Sequence, residues 1–351
     1  MRILLVRLRL IGDVVFTTPI IRALRRYRPD AHIAYVVEPA AVPILHGNPH
    51  LDELIAIPKR RGMRRLMDDV ALARRLRGER FDVAIDLHGG PRAAWLTWAS
   101  GAPMRIGYAI AGRSWMYTHT VHRSPDLAPR HSVVNQWDLL APLGIGACDP
   151  ERDPVEMIED PRVASRVERR LRDAGIRTDT PLVVIHVSAG NPFRRWPEKS
   201  FYGLVIALAQ ADPNRRILLT SGPSDATAAQ RIWHAARARL STPDSVPTVE
   251  DWDLSELRAL IARAAVYIGG DSGPLHVAST TQTPIVELLG PTLPERSRPW
   301  RDPRLVAEIV DAGSLPCRPC DQRRCAPGDF RCLTGIGPER VLAAVERVLN
   351  L

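Results

Sequence analysis

At 351 residues the chain is too long for one small module and has the length of two domains, each able to bury its own core. Its 45% hydrophobic and 25% charged residues are the balance of a folded globular protein and exclude a disordered chain. The formal net charge of +9 favours an anionic partner, such as a nucleotide diphosphate, a phosphorylated glycolipid or an anionic membrane face, without choosing among them.

Residues 1–16 are apolar but broken by Arg7, Arg9 and Asp13, and they lack the cleavage site of a signal peptide, so a cytoplasmic location is expected. Residues 3–6 read as a first strand. A loop carrying Gly12 and Asp13 follows, then a helix from about Thr17, where Thr17 or Thr18 can cap and Pro19 suits the first turn. Further strands are expected at 32–37, 54–57, 81–86 and 105–108, with helical patterns between them. Residues 148–161 turn proline-rich and acidic, the composition of an inter-domain connection. The alternation then restarts, with strands expected at 182–186, 217–220, 266–269 and 284–288 and a terminal helix over 338–351. The pattern predicts an α/β fold of two Rossmann-like domains with mostly parallel sheets, residues 1–160 and 161–351. No run of 18 apolar residues occurs, so any membrane contact is expected to be peripheral.

Ligands of parallel sheets bind beyond the carboxyl ends of the strands, which directs attention to four loops. In the first, residues 9–13, Asp13 can serve as a general base or simply favour a helix amino end. The second, residues 186–197, sets Ser188 beside Arg194 and Arg195 and suits an anion, the alternative being a solvated loop. The third runs from a strand through Gly269, Gly270, Asp271, Ser272 and Gly273 into a helix, where amides and His276 can reach a diphosphate; His276 can equally pack the helix to the sheet. The fourth carries Thr292, and Asp225 stands at an equivalent strand end, where it can bind ribose hydroxyls or cap a helix.

Four stretches, LIGDVVFTTPIIRAL, HVSAGNPFRRWPEKSF, GGDSGPLHVAS and LLGPT, occur in this order across nearly the whole chain and resemble the lipopolysaccharide heptosyltransferases, glycosyltransferase family 9. The resemblance implies a GT-B architecture, with two facing Rossmann-like domains, the first binding mainly the acceptor and the second mainly the nucleotide sugar. It implies that Asp13 deprotonates an acceptor hydroxyl for a single inverting displacement. It further implies that Asp271, Ser272, Gly273 and His276 hold the diphosphate and nearby sugar, and that Ser188 and Arg194 contact the leaving phosphates. The expected donor is ADP-heptose and the expected acceptor an anionic glycolipid of the lipopolysaccharide inner core, met at the cytoplasmic face of the inner membrane. No nucleic-acid partner is expected.

The family commonly has lysine before the aromatic-proline pair, where this chain has Arg194 and Arg195; arginine keeps the charge but presents a planar fork. No metal is expected to be required for catalysis, in keeping with the lack of an Asp-x-Asp motif near the strand ends. The run of residues 59–65 places Arg60, Arg61, Arg64 and Arg65 in an expected loop; a solvated charge run is one reading, and the resemblance implies contact with an acidic acceptor. His88 and Arg92, after another strand, are acceptor-side candidates. Cys317, Cys320, Cys325 and Cys332 are close enough in sequence for a tetrahedral structural zinc, without the paired Cys-x-x-Cys halves of zinc ribbons. A family 9 transferase of other specificity, a nucleotide-sugar epimerase of similar fold and a non-catalytic binder of anionic surfaces are competing readings. A dehydrogenase is disfavoured, because the glycines do not form its fingerprint.

Overall fold

The computed structural model describes residues 1–58, 60–125, 128–187 and 191–350, and of Val249 and Glu250 the backbone alone. The chain divides into two compact units, Met1–Ile158 and Glu159–Leu351.

In the first unit β1 (Arg2–Val6), β2 (His32–Val37), β3 (Glu53–Ala56), β4 (Val83–Asp86), β5 (Met104–Tyr108) and β6 (His119–Val121) form one sheet in the order β3-β2-β1-β4-β5-β6. Every pairing is parallel. The central strands are apolar throughout rather than alternating because both faces are covered. Leu4 and Val6 pack with Leu72, Leu76 and Leu96 on one side, and the alternate residues Ile3 and Leu5 are equally buried on the other.

The second unit repeats the plan. β7 (Leu182–His186), β8 (Arg216–Thr220), β9 (Val249–Glu250), β10 (Val266–Gly270), β11 (Ile285–Leu289) and β12 (Ala307–Asp311) are all parallel, in the order β12-β11-β10-β7-β8-β9. One face packs Ile268, Val286 and Leu288 against the helices Glu198–Ala211 and Pro338–Leu349; the other packs Tyr267 and Ile285 against the helix Leu254–Ile261. In each unit the chain starts in mid-sheet, builds to one edge, returns and builds to the other. Connections leave the two central strands in opposite directions, which opens a crevice at their carboxyl ends. These switch points lie beyond β1 and β4 in the first unit and beyond β7 and β10 in the second.

The structure corrects several expectations. β6, β9 and β12 were not expected; all three are edge strands, and β6 and β12 are too exposed and polar to show an apolar run. The connection expected at residues 148–161 contains the division between the units, and its first part is packed against the first unit. Asp153 is fully buried and pairs with Arg26, Glu156 pairs with Arg22, and Val155 and Met157 are buried, so this stretch is fastened to the helix Thr18–Tyr27 of the first unit. Three residues later, Glu159 accepts from Arg258 at 2.6 Å and Arg263 at 3.1 Å in the second unit. Asp13 lies not in a loop but in the first turn of a short helix, Ile11–Val15, whose Val14 and Val15 anchor it to the core. Thr17 makes no capping hydrogen bond; its hydroxyl donates to the Val14 carbonyl at 2.7 Å. Among the described residues no helix is long and apolar enough to cross a membrane.

Candidate functional site

The first unit gathers a carboxylate, a guanidinium and an imidazole at its switch point. Arg7 follows β1, is buried, and donates from Nη1 to the Leu87 carbonyl just past β4 at 2.5 Å. Its Nη2 meets Asp13 Oδ2 at 2.6 Å, while the Asp13 side chain remains 34% exposed, oriented yet reachable. Asp86, buried at the end of β4, accepts from the His88 and Gly89 amides at 2.8 Å each and from the Tyr117 hydroxyl at 2.6 Å, which fixes the turn that presents His88. Burial first, and then the charge of Arg7, lower the His88 pKa to about 4, and its buried Nδ1 has no hydrogen-bond partner among the described residues. The group is therefore a neutral imidazole at physiological pH with an uncommitted ring nitrogen beside the Arg7–Asp13 pair.

The acceptor-side arginines are placed differently from the sequence reading. Arg60 and Arg61 precede the helix Gly62–Gly78, and Arg64 and Arg65 lie on its first turns rather than in a loop, because apolar residues recur at helical spacing from Met63 onward. Arg92 is no free cation: its Nε and Nη2 donate to Asp69 at 2.9 and 2.6 Å, and Nη1 stands 3.6 Å from Glu38.

In the second unit the loops after β7, β10 and β11 meet on Asp271. Its buried carboxylate receives Arg194 Nη1 at 3.0 Å and the hydroxyls of Thr292 at 2.9 Å and Ser297 at 3.3 Å, with His276 Nε2 at 3.7 Å. Burial alone would raise its pKa, but His276, Arg194 and Thr292 favour the charged form and bring it down to about 2. Asp271 is thus an ionised hub that joins the three loops carrying the sequence-picked Arg194, His276 and Thr292. Ser272 Oγ is buried without a partner among the described residues, so it retains its hydrogen-bonding capacity at the start of the short helix Gly273–Ala278. A β-carbon at Gly270 would stand 3.4 Å from the Arg194 carbonyl, ordinary contact, so the turn and the arginine loop touch there without requiring a glycine. Arg195 makes a separate pair with Asp225 at 3.1 Å; Asp225 occupies the amino-cap position of the helix Ala226–Arg237 but makes no capping hydrogen bond. Ser188, picked from the sequence, lies outside the described residues.

Three residues escaped the sequence reading. Arg7 could have been found as a charge ending an apolar strand. Glu287, fully buried in β11 opposite Gly269, has both carboxyl oxygens unpartnered among the described residues. Gln322 accepts from Arg194 Nε at 2.8 Å and Asn191 Nδ2 at 2.6 Å, over sequence separations that no local pattern reveals. The cysteines are half-buried and free, and among the described residues no three His, Cys, Asp or Glu side chains come close enough to hold a metal ion. Cys320 Sγ accepts the Gln322 amide at 3.3 Å, and Arg318 ties the segment to the Thr292 carbonyl at 2.8 Å.

The model of glycosyltransferase family 9 (heptosyltransferase) matches residues 70–329. The lipopolysaccharide heptosyltransferase 3 of Escherichia coli is 28% identical over 97% of both chains. Among solved structures, the glycosyltransferase family 9 protein of Veillonella parvula superposes with a TM-score of 0.84 at 23% identity, covering 99% of this chain and 97% of that one. The E. coli ADP-heptose lipopolysaccharide heptosyltransferase II does so with a TM-score of 0.78 at 22% identity, covering 100% and 99%.

Proposed function

We propose, given that this chain belongs to glycosyltransferase family 9 (heptosyltransferase), that it moves a heptose from ADP-heptose to the inner-core sugar of a lipopolysaccharide precursor, with inversion at the anomeric carbon. The chain is a glycosyltransferase. What carries the finer reading is that one chain of this family pairs an oriented, partly exposed carboxylate after β1 with a cationic loop after β7, each at the switch point of its own sheet.

In this reading Asp13 accepts the proton of an acceptor hydroxyl as that oxygen attacks the anomeric carbon, and the bond from that carbon to the diphosphate oxygen breaks. Arg7 keeps the carboxylate aimed, and the neutral ring of His88 hydrogen-bonds the acceptor. Charge developing on the departing ADP is met by Arg194 and Arg195, so that no metal is required for transfer. Ser272 Oγ, the Gly273 amide and His276 contact the diphosphate, Asp271 and Thr292 hold that turn in shape, and Asp225 receives the ribose hydroxyls. Arg60, Arg61, Arg64 and Arg65 meet the anionic groups of the acceptor, and the enzyme works at the cytoplasmic face of the inner membrane.

The test is acceptor-dependent turnover. The purified chain, given ADP-heptose and a Kdo-bearing lipid acceptor, is expected to release ADP only when both are present. No release with any of several core acceptors would contradict the substrate assignment, and conversion of the donor without acceptor would favour an epimerase.

A further inference from the structure

The helix Gly62–Gly78 begins with three large apolar side chains that the fold leaves uncovered: Met63 is 71% exposed, Leu66 55% and Met67 66%. Spaced three and four residues apart, they form one stripe along the first two turns. Further on, the same helix buries Leu72, Ala73 and Leu76 against the sheet, so only its start is uncovered.

Arginines border this stripe. Arg60 Nε stands 3.4 Å from Asp68 and Arg65 Nε 3.6 Å from Asp69, while Arg61 and Arg64 have no ion pair among the described residues. Asp69 is also held by Arg92, which reaches Glu38 just beyond β2. The start of the helix is thereby fastened to the carboxyl end of the first sheet, the end that carries Asp13 and His88.

An apolar stripe within a cationic rim matches the boundary of a bilayer rich in anionic lipid. Methionine and leucine enter between headgroups and chains, while arginine stems lie along the apolar surface with their guanidinium groups at the phosphates. A nucleic acid would satisfy the cations and leave the stripe in water. A second copy of this chain would bring arginine against arginine.

We infer that residues 60–67 are the surface by which this chain docks on an anionic bilayer, setting the carboxyl end of its first sheet against a membrane-borne acceptor. The acceptor clause rests on the function proposed above; the docking itself does not.

Co-sedimentation with vesicles of phosphatidylethanolamine and phosphatidylglycerol tests it, with neutral phosphatidylcholine vesicles alongside. The chain is expected to partition onto the anionic vesicles and to leave them as salt rises. The triple variant Met63→Ser, Leu66→Ser, Met67→Ser should partition roughly tenfold less, with Tm unchanged, since it alters only exposed side chains. Its turnover should fall on acceptor embedded in vesicles and persist on a deacylated, water-soluble acceptor. Wild-type binding by the triple variant, equal binding to neutral vesicles, or a dimer that dissociates in the triple variant would each overturn the inference. Vesicle binding lost in the triple variant, in a chain with no turnover on either acceptor, would support the docking and sink the proposed reaction instead.

Discussion

Glu287 and Asp271 are two buried carboxyl groups of the second unit that the fold drives in opposite directions. Burial, and then the nearby charge of Asp271, push the Glu287 pKa well above the ordinary carboxylate range, with Arg194 and Arg318 pulling weakly the other way. Asp271 is as buried, yet its donors hold it ionised. The difference is hydrogen bonding: Asp271 has hydroxyl and guanidinium partners, whereas Glu287 has none among the described residues. A folded pKa above the unfolded one means that the folded state keeps a proton the unfolded chain has already lost. The contribution of Glu287 is therefore most favourable below the ordinary carboxylate pKa and is lost as pH rises through its folded value. Glu287→Gln removes this titration. Its Tm is expected to match the wild type near pH 4 and to exceed it by a few degrees at pH 8, where ~1 kcal/mol moves Tm by ~2–4 °C in a unit of this size. A Tm difference that does not change with pH would contradict the assignment.

At the scale of elements, the segment 317–332 backs the arginine loop. Gln322 takes the Arg194 Nε proton, Phe330 packs on Phe193 with ring centroids 5.5 Å apart, and Arg318 grips the carbonyl of Thr292. Gln322→Ala removes a hydrogen bond to a charged group, a stability loss of about 1.5–3 kcal/mol that lowers Tm by several degrees, and with Arg194 no longer held calorimetry should also show ADP binding weakened roughly tenfold or more. ADP affinity within twofold of wild type would show that Gln322 does not position Arg194. This contact marks where sequence reading stops. The buried strands such as β1, β2 and β7 were legible because an apolar run needs no partner to be recognised, and Asp271 drew attention because it directly follows such a run. β12 was not, since an edge strand carries water on one side, and Gln322 was not, since its meaning lies in an arginine 128 residues away.

At the scale of the molecule, both units use one strand order, and each places its candidate residues at the reversal in that order. The structure divides the chain between Ile158 and Glu159, where composition had put the division between residues 160 and 161. Residues 148–161 were read as an inter-domain connection, and within them the structure buries Asp153 against Arg26 and leaves a change of allegiance between Glu156 and Glu159. The chemistry proposed for the first unit and the nucleotide binding proposed for the second can be separated by substitution. The most direct test is Asp13→Asn assayed for both at once. ADP affinity by calorimetry should stay within about twofold of wild type, while acceptor-dependent ADP release should fall by about 10²–10⁴-fold, the range for loss of a general base. Release at the wild-type rate would contradict the account.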